Sequence, residues 1–98
     1  MLNPKQQSLY EAFYNATHNN SVLDSRTELL VGLAAAVAMN CEPCTANYLS
    51  KLKQDGASKE EIQEVTAKVM AVAAGQKKLQ TQRVLKDFDI ELDEFGKS

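Results

Sequence analysis

The chain contains no tryptophan, three phenylalanines and three tyrosines. That scarcity of large aromatic residues argues against a large β-sandwich and leaves a helical fold untouched. Prolines number two and glycines four, with neither a repeat nor a low-complexity linker, so the composition is that of an ordinary globular protein. At 98 residues there is room for one domain, residues 1–98, and not for two. Charge of one sign is also lacking. A formal net charge of −2 offers no electrostatic reason to bind nucleic acid or an anionic membrane, and Lys77, Lys78, Arg83 and Lys86 read as a solvated helix face. The longest apolar run, Leu29 to Met39, is about half of what a membrane helix needs. The opening residues MLNPKQQSLYE lack the apolar centre of a secretory signal, so a cytoplasmic location is the expectation. Two cysteines fall far short of a secreted disulfide framework.

What is present is helical periodicity. Apolar residues recur at Leu9, Ala12, Phe13 and Ala16, predicting a first helix from Pro4 to about Asn19. Asn19-Asn20-Ser21 reads as a loop. Ser25 and Glu28 have the spacing of a capping box ahead of LLVGLAAAVAMN, a helix apolar almost all round that must lie at the centre of a fold or an oligomer. Asn40 suits its C-terminal stop. A third helix follows to about Asp55, ended by Gly56. Ser58 and Glu61 form a second capping-box pattern, opening a fourth helix through Ala74 that buries Ile62, Val65, Val69, Met70 and Ala73. With Gly75 as a stop or kink, a fifth helix is expected from Lys77 to Phe88. The acidic tail DIELDEFGKS is expected to fray or to dock Ile90, Leu92 and Phe95 on a neighbouring subunit.

The chemistry sits at Cys41-Glu42-Pro43-Cys44. Pro43 fixes the start of the third helix and holds Glu42 extended, which leaves Cys41 just outside and Cys44 in the first turn. Two residues three apart within a regular helix keep their Cβ atoms about 5–6 Å apart, whereas a disulfide wants roughly 3.8 Å. A non-helical Cys41 closes that gap. First-turn N–H groups and the helix dipole favour a thiolate, while the Glu42 carboxylate opposes one. In a cytoplasmic chain such a pair is catalytic or metal-binding before it is a structural staple. Two buried cysteines acting as small hydrophobes, or a zinc ion shared by the cysteines of two subunits, are the rival readings. The lone histidine, His18, reads as an exposed helix-end residue.

The segment ELLVGLAAAVAMNCEPCTANY, followed by GASKEEIQE, resembles the carboxymuconolactone decarboxylase superfamily and, within it, the alkylhydroperoxidase AhpD-like branch. The resemblance spans roughly Thr27 to Ala74. It implies an all-helical domain assembled as a dimer, trimer or hexamer, with Cys41 and Cys44 as the redox pair of a thiol-dependent hydroperoxidase or disulfide reductase. No cofactor is implied beyond an external dithiol donor. Decarboxylase activity is not implied, because the lactone-cleaving branch does not rely on this pair. Two departures stand out. The family's histidine, four residues after the second cysteine, is Tyr48 here. Its relay glutamate in the preceding helix has Glu28 as counterpart, one position farther from Cys41 and so about 100° round the helix; Glu28 serves equally well as the Ser25 capping partner.

The reading is an all-α, homo-oligomeric thiol–disulfide oxidoreductase with Cys41, Cys44, Tyr48 and Glu28 as site residues. Its expected substrates are small peroxides or disulfides, its reductant an external dithiol or protein. The rival is a redox-sensing or structural oligomer. Tyr48 shares a helix face with Cys44, and with a pKa near 10 it is a donor more than a base; alternatively it only packs.

Overall fold

A computed structural model describes residues 1–19 and 22–96. Most of the loop expected at Asn19–Ser21, and the last two residues of the tail, lie outside the described residues. Four α-helices and one 3-10 turn are present among the described residues: α1 Pro4–Ala16, α2 Ser25–Ala38, α3 Glu42–Gln54, α4 Lys59–Asp87 and the turn Leu92–Glu94. The fold is all-helical, as expected. The helix expected to end at Gly75 and the one expected from Lys77 are instead one helix of 29 residues, about 43 Å long. Gly75 lowers helix propensity by about 1 kcal/mol relative to alanine. No Ser, Thr, Asp or Asn follows closely enough to cap a new helix, so the ladder runs through.

The helix ends are set by local chemistry. The Asn3 side chain accepts from the Gln6 N–H and Gln6 reciprocates, and Ser58 and Glu61 form the same box as expected. At α2 the expectation fails: Asp24 is the cap, accepting from the Thr27 N–H at 2.8 Å, and Ser25 is the first helical residue. A carboxylate one residue upstream outcompetes the serine and frees Glu28 from capping. Three helix exits close as Schellman motifs, the α4 exit at Asp89 (φ 54°), where the Ile90 N–H meets the Leu85 carbonyl at 2.9 Å, and two more. Asn40, at φ 59°, directs the Cys41 N–H onto the Ala36 carbonyl at 2.9 Å. Gly56, at φ 82°, directs the Ala57 N–H onto the Leu52 carbonyl at 2.9 Å. The corners at Asn40 and Gly56 fold α3 and α4 back against α2.

α2 packs against α3 and α4. Its Leu33 and Ala36, with Leu52 of α3, are the buried residues of the described chain. Along α4 only the first half reaches α2: Ile62, Val65 and Val69 are half-buried, whereas Met70 and Ala73, expected in the core, are exposed. α1 stands away from the other helices with Leu9 and Phe13 each about 60% exposed.

Arg26 clamps the far end of this assembly. Its Nε donates to Asp55 Oδ2, its Nη1 to Glu61 Oε1 and its Nη2 to the Asp55 carbonyl, each at 2.7 Å. The guanidinium thereby joins the start of α2 to the end of α3 and the start of α4. Glu61 is held below the usual carboxylate range by the Ser58 N–H first and the Arg26 charge after it, and Asp24 by the Thr27 N–H and hydroxyl. Both folded pKa values are depressed. The stability they contribute is therefore complete above the ordinary carboxylate range of about 3.9–4.3 and is lost as pH falls through the folded values. Arg26→Gln is expected to lower the melting temperature at pH 7 and to flatten its decline in acid, the two curves converging as pH falls below the ordinary carboxylate range. Parallel curves from melts across that range would contradict this assignment.

Candidate functional site

Cys41 and Cys44 are joined as a disulfide, with Cα atoms 5.2 Å apart. The backbone does what Pro43 and Asn40 dictate. Cys41 (φ −93°, ψ 96°) is the non-helical cap of α3, and Pro43 lies in the first turn. Cys41 Sγ occupies the place of a capping oxygen and accepts the Cys44 N–H at 3.3 Å. The Cys41 carbonyl is held by the Thr45 N–H at 2.9 Å and the Thr45 hydroxyl at 2.8 Å. A reduced Cys41 in this position faces the positive end of the α3 dipole and an N–H already aimed at its sulfur, which lowers a thiol pKa. The carboxylate of Glu42, in the same turn, acts in the opposite direction.

Cys41 also faces outward. It lines an open cavity of about 410 Å³ with Val37, Asn40, Glu42, Thr45, Ala46 and Leu49. The two half-buried cysteines therefore differ in one respect: Cys41 lines this cavity and Cys44 does not.

Tyr48 lies one turn beyond Cys44 on α3, away from the cavity. Its half-buried ring crosses α2 at Gly32, where a Cβ would overlap the ring carbons. The glycine in the middle of an otherwise apolar helix is thus a notch for the phenol. Tyr48 Oη is 2.9 Å from His18 Nε2. The His18 ring in turn packs at a tilt of 32° against Tyr14, ring centroids 4.3 Å apart. Contrary to expectation, His18 is a half-buried residue tying α1 to α3 rather than an exposed helix end. Burial, followed by Tyr14 and Glu28, pushes the Tyr48 phenol up, so it stays protonated. Glu28 shares a second cavity, about 410 Å³, with His18, Asn19, Leu23 and Ser25. The four residues singled out in the sequence thus fall into two groups, the disulfide at one end of α2 and Tyr48 with Glu28 nearer the other, linked by the face of α3. Sequence reasoning missed His18 because its partner is thirty residues away. Gly32 was the available signal.

Gly32→Ala is expected to destabilise. Alanine gains about 1 kcal/mol of helix propensity, but the overlap costs about 1–3 kcal/mol and displaces a hydrogen bond worth about 0.5–1.5 kcal/mol. The urea midpoint should fall; a rise would show that Tyr48 is not held in the notch.

Among the described residues no group of three or more His, Cys, Asp or Glu side chains is placed to hold a metal ion. No helix among them is long and apolar enough to cross a membrane.

Residues 4–87 match the model of the carboxymuconolactone decarboxylase family, and the chain belongs to that family. Its Cys41–Cys44 pair is consistent with the AhpD-like branch. A crystal structure of a protein from Methanobacterium thermoautotrophicum has the same fold, with a TM-score of 0.75 at 23% identity over 84% of this chain and 94% of that one. No curated protein matches the sequence.

Proposed function

We propose that this protein is a thiol–disulfide oxidoreductase of the AhpD-like type, reducing hydroperoxides or disulfides with Cys41 as the attacking and Cys44 as the resolving cysteine. The observation that carries this reading is the asymmetry of the pair: Cys41 Sγ sits at a helix N-terminus on an open cavity that Cys44, bonded to it, does not line. The Cys41 thiolate attacks the outer oxygen of a hydroperoxide. The O–O bond breaks, Cys41 becomes a sulfenic acid, and the departing alkoxide takes from solvent the proton that Cys41 gave up on ionising, leaving as the alcohol. The Cys44 thiolate attacks that sulfur, the S–O bond breaks, the departing hydroxide takes from solvent the proton that Cys44 gave up and leaves as water, and the disulfide forms. An external dithiol restores both thiols by exchange through a mixed disulfide. With a disulfide substrate, Cys41 forms the mixed disulfide directly.

The working form is a homo-oligomer. A folded monomer of 10.8 kDa exposes about 5,500 Å², whereas this chain exposes 8294 Å². Its radius of gyration is 19.6 Å, against about 13 Å for a compact domain of this length. The excess surface, roughly 2,700 Å², is several times the ~800 Å² per partner of a standard interface. It includes the apolar faces of α1 and of the second half of α4.

The test is turnover of a panel of alkyl hydroperoxides and small disulfides with a dithiol donor. Catalysis of at least one of them is expected. A reversible disulfide without turnover of any would favour the redox-sensing role instead.

A further inference from the structure

The open cavity that Cys41 lines is unevenly furnished. Val37, Ala46 and Leu49 give it apolar walls, and apart from the cysteine its one ionisable lining residue is Glu42. The Thr45 hydroxyl is already committed to the Cys41 carbonyl. Glu42 is exposed and, among the described residues, takes part in no ion pair; both salt bridges belong to Arg26. Nor can its charge move far from the sulfur. Adjacent Cα atoms are about 3.8 Å apart, so in any rotamer the carboxylate stays within about 10 Å of Cys41 Sγ. That is about the Debye length at 0.1 M ionic strength. A molecule reacting at Cys41 therefore meets the field of Glu42 before salt has screened it away.

We infer that Glu42 is a specificity-determining residue of the redox site, a charge filter that turns away anionic reaction partners. The substrate class is then uncharged or cationic hydroperoxides and disulfides with apolar substituents, and the reductant an uncharged dithiol. This deepens, and rests on, the redox reading of Cys41. Two charges act at the cavity in opposite senses. The N-terminus of α3 presents about half a positive charge, which attracts anions. Glu42, the first residue of α3, sets a full negative charge at the same end, so the balance is negative. The apolar walls suit alkyl groups and offer no partner to a carboxylate. A carboxylate-bearing disulfide such as oxidised glutathione meets repulsion with no lining cation to offset it. A disulfide whose substituents are neutral or carry ammonium groups meets none.

Glu42 also acts on Cys41 by opposing its ionisation, and a change in overall rate does not separate the two effects. A pair of probes alike in size and unlike in charge does. Iodoacetamide and iodoacetate react with the same thiolate; in each case an S–C bond forms and iodide leaves. Thiolate fraction and nucleophilicity therefore cancel from the ratio of their rates. What a substitution does to that ratio reports the charge met by the probe. A unit charge about 6 Å away changes an encounter about threefold even at the dielectric of water, and more where the cavity wall excludes water.

The experiment uses the full chain carrying Cys44→Ser, which leaves Cys41 as its one thiol, and measures both alkylation rates at neutral pH and low ionic strength. Relative to this parent, Glu42→Gln is expected to raise the iodoacetate rate against the iodoacetamide rate about threefold or more, and Glu42→Lys further still. In about 1 M salt, where the Debye length is about 3 Å, the three ratios are expected to converge. Glu60→Gln removes the same unit of charge at the start of α4, beyond the far end of α3, and is expected to leave the ratio at the parent's value. Mixed-disulfide formation on the same parent, with oxidised glutathione against hydroxyethyl disulfide, is expected to shift with Glu42→Gln in the same sense. A ratio unchanged in both Glu42 variants, one moved as far by Glu60→Gln, or an unaltered preference between the two disulfides would overturn the charge filter. Alkylation needs only a thiolate, so failure of the redox reading shows elsewhere, as absence of turnover in the wild-type protein.

Discussion

Cys41→Ser is expected to reduce peroxide and disulfide turnover to the level of the uncatalysed reaction, a loss of about 10³-fold or more, the scale on which removal of a nucleophile acts. Cys44→Ser is expected to behave differently. Its Cys41 still sits at the α3 N-terminus and still lines the open cavity, so one equivalent of peroxide should be consumed in a burst. Without a resolving thiol inside the protein, Cys41 then remains a sulfenic acid or forms a mixed disulfide with the donor, and steady-state turnover stalls. Stopped-flow consumption of substrate separates the two variants: no burst for the first, a burst without a steady state for the second. A burst in Cys41→Ser and none in Cys44→Ser would reverse the assignment, placing the attack on the sulfur of Cys44, which does not line the cavity.

Replacing Leu9 and Phe13 together by aspartate is expected to convert a cooperative, high-mass species into largely unfolded chains. These side chains are each about 60% exposed on α1, and Leu79 and Phe88 of α4 are about 70% exposed. Burial is worth about 25 cal/mol per Å², so apolar faces on this scale favour the cover that the proposed homo-oligomer would give them. Light scattering of the wild type should give an integral multiple of 10.8 kDa, with a melting temperature that rises with protein concentration by mass action. A wild-type mass of 10.8 kDa with a concentration-independent melt would contradict the oligomer. A variant whose mass and melt equal the wild type's would show that α1 is not in the interface.

Much of this was legible in the sequence, residue by residue. The first three helices and the start of α4 follow from apolar spacing and caps, although five helices were expected, and Asn40 and Gly56 mark two of the exits because those residues tolerate positive φ. Pro43 and the cysteine spacing foretell a strain-relieving, non-helical Cys41, as found. The misreadings share a cause: each was decided by competition that spacing alone does not rank. Asp24 beat Ser25 to the α2 cap. Gly75 did not break α4 because nothing after it caps a new start. Met70 and Ala73 lie outside the core because α4 outruns the helix it packs on. At the site, the cysteine pair announced itself by local spacing, whereas the His18–Tyr48 bond joins the end of α1 to the middle of α3. No periodicity encodes that meeting. Its trace was Gly32, a residue of low helix propensity in the most apolar helix of the chain.

The most direct test of the central claim is the intact mass of fully reduced protein after one equivalent of hydroperoxide, with alcohol formed measured in parallel. The account predicts loss of two hydrogens per chain, one alcohol per disulfide, no free thiol and no crosslink between chains, all reversed by a dithiol. Persistent free thiols alongside unconsumed peroxide, or oxidation solely by crosslinks between chains, would contradict it.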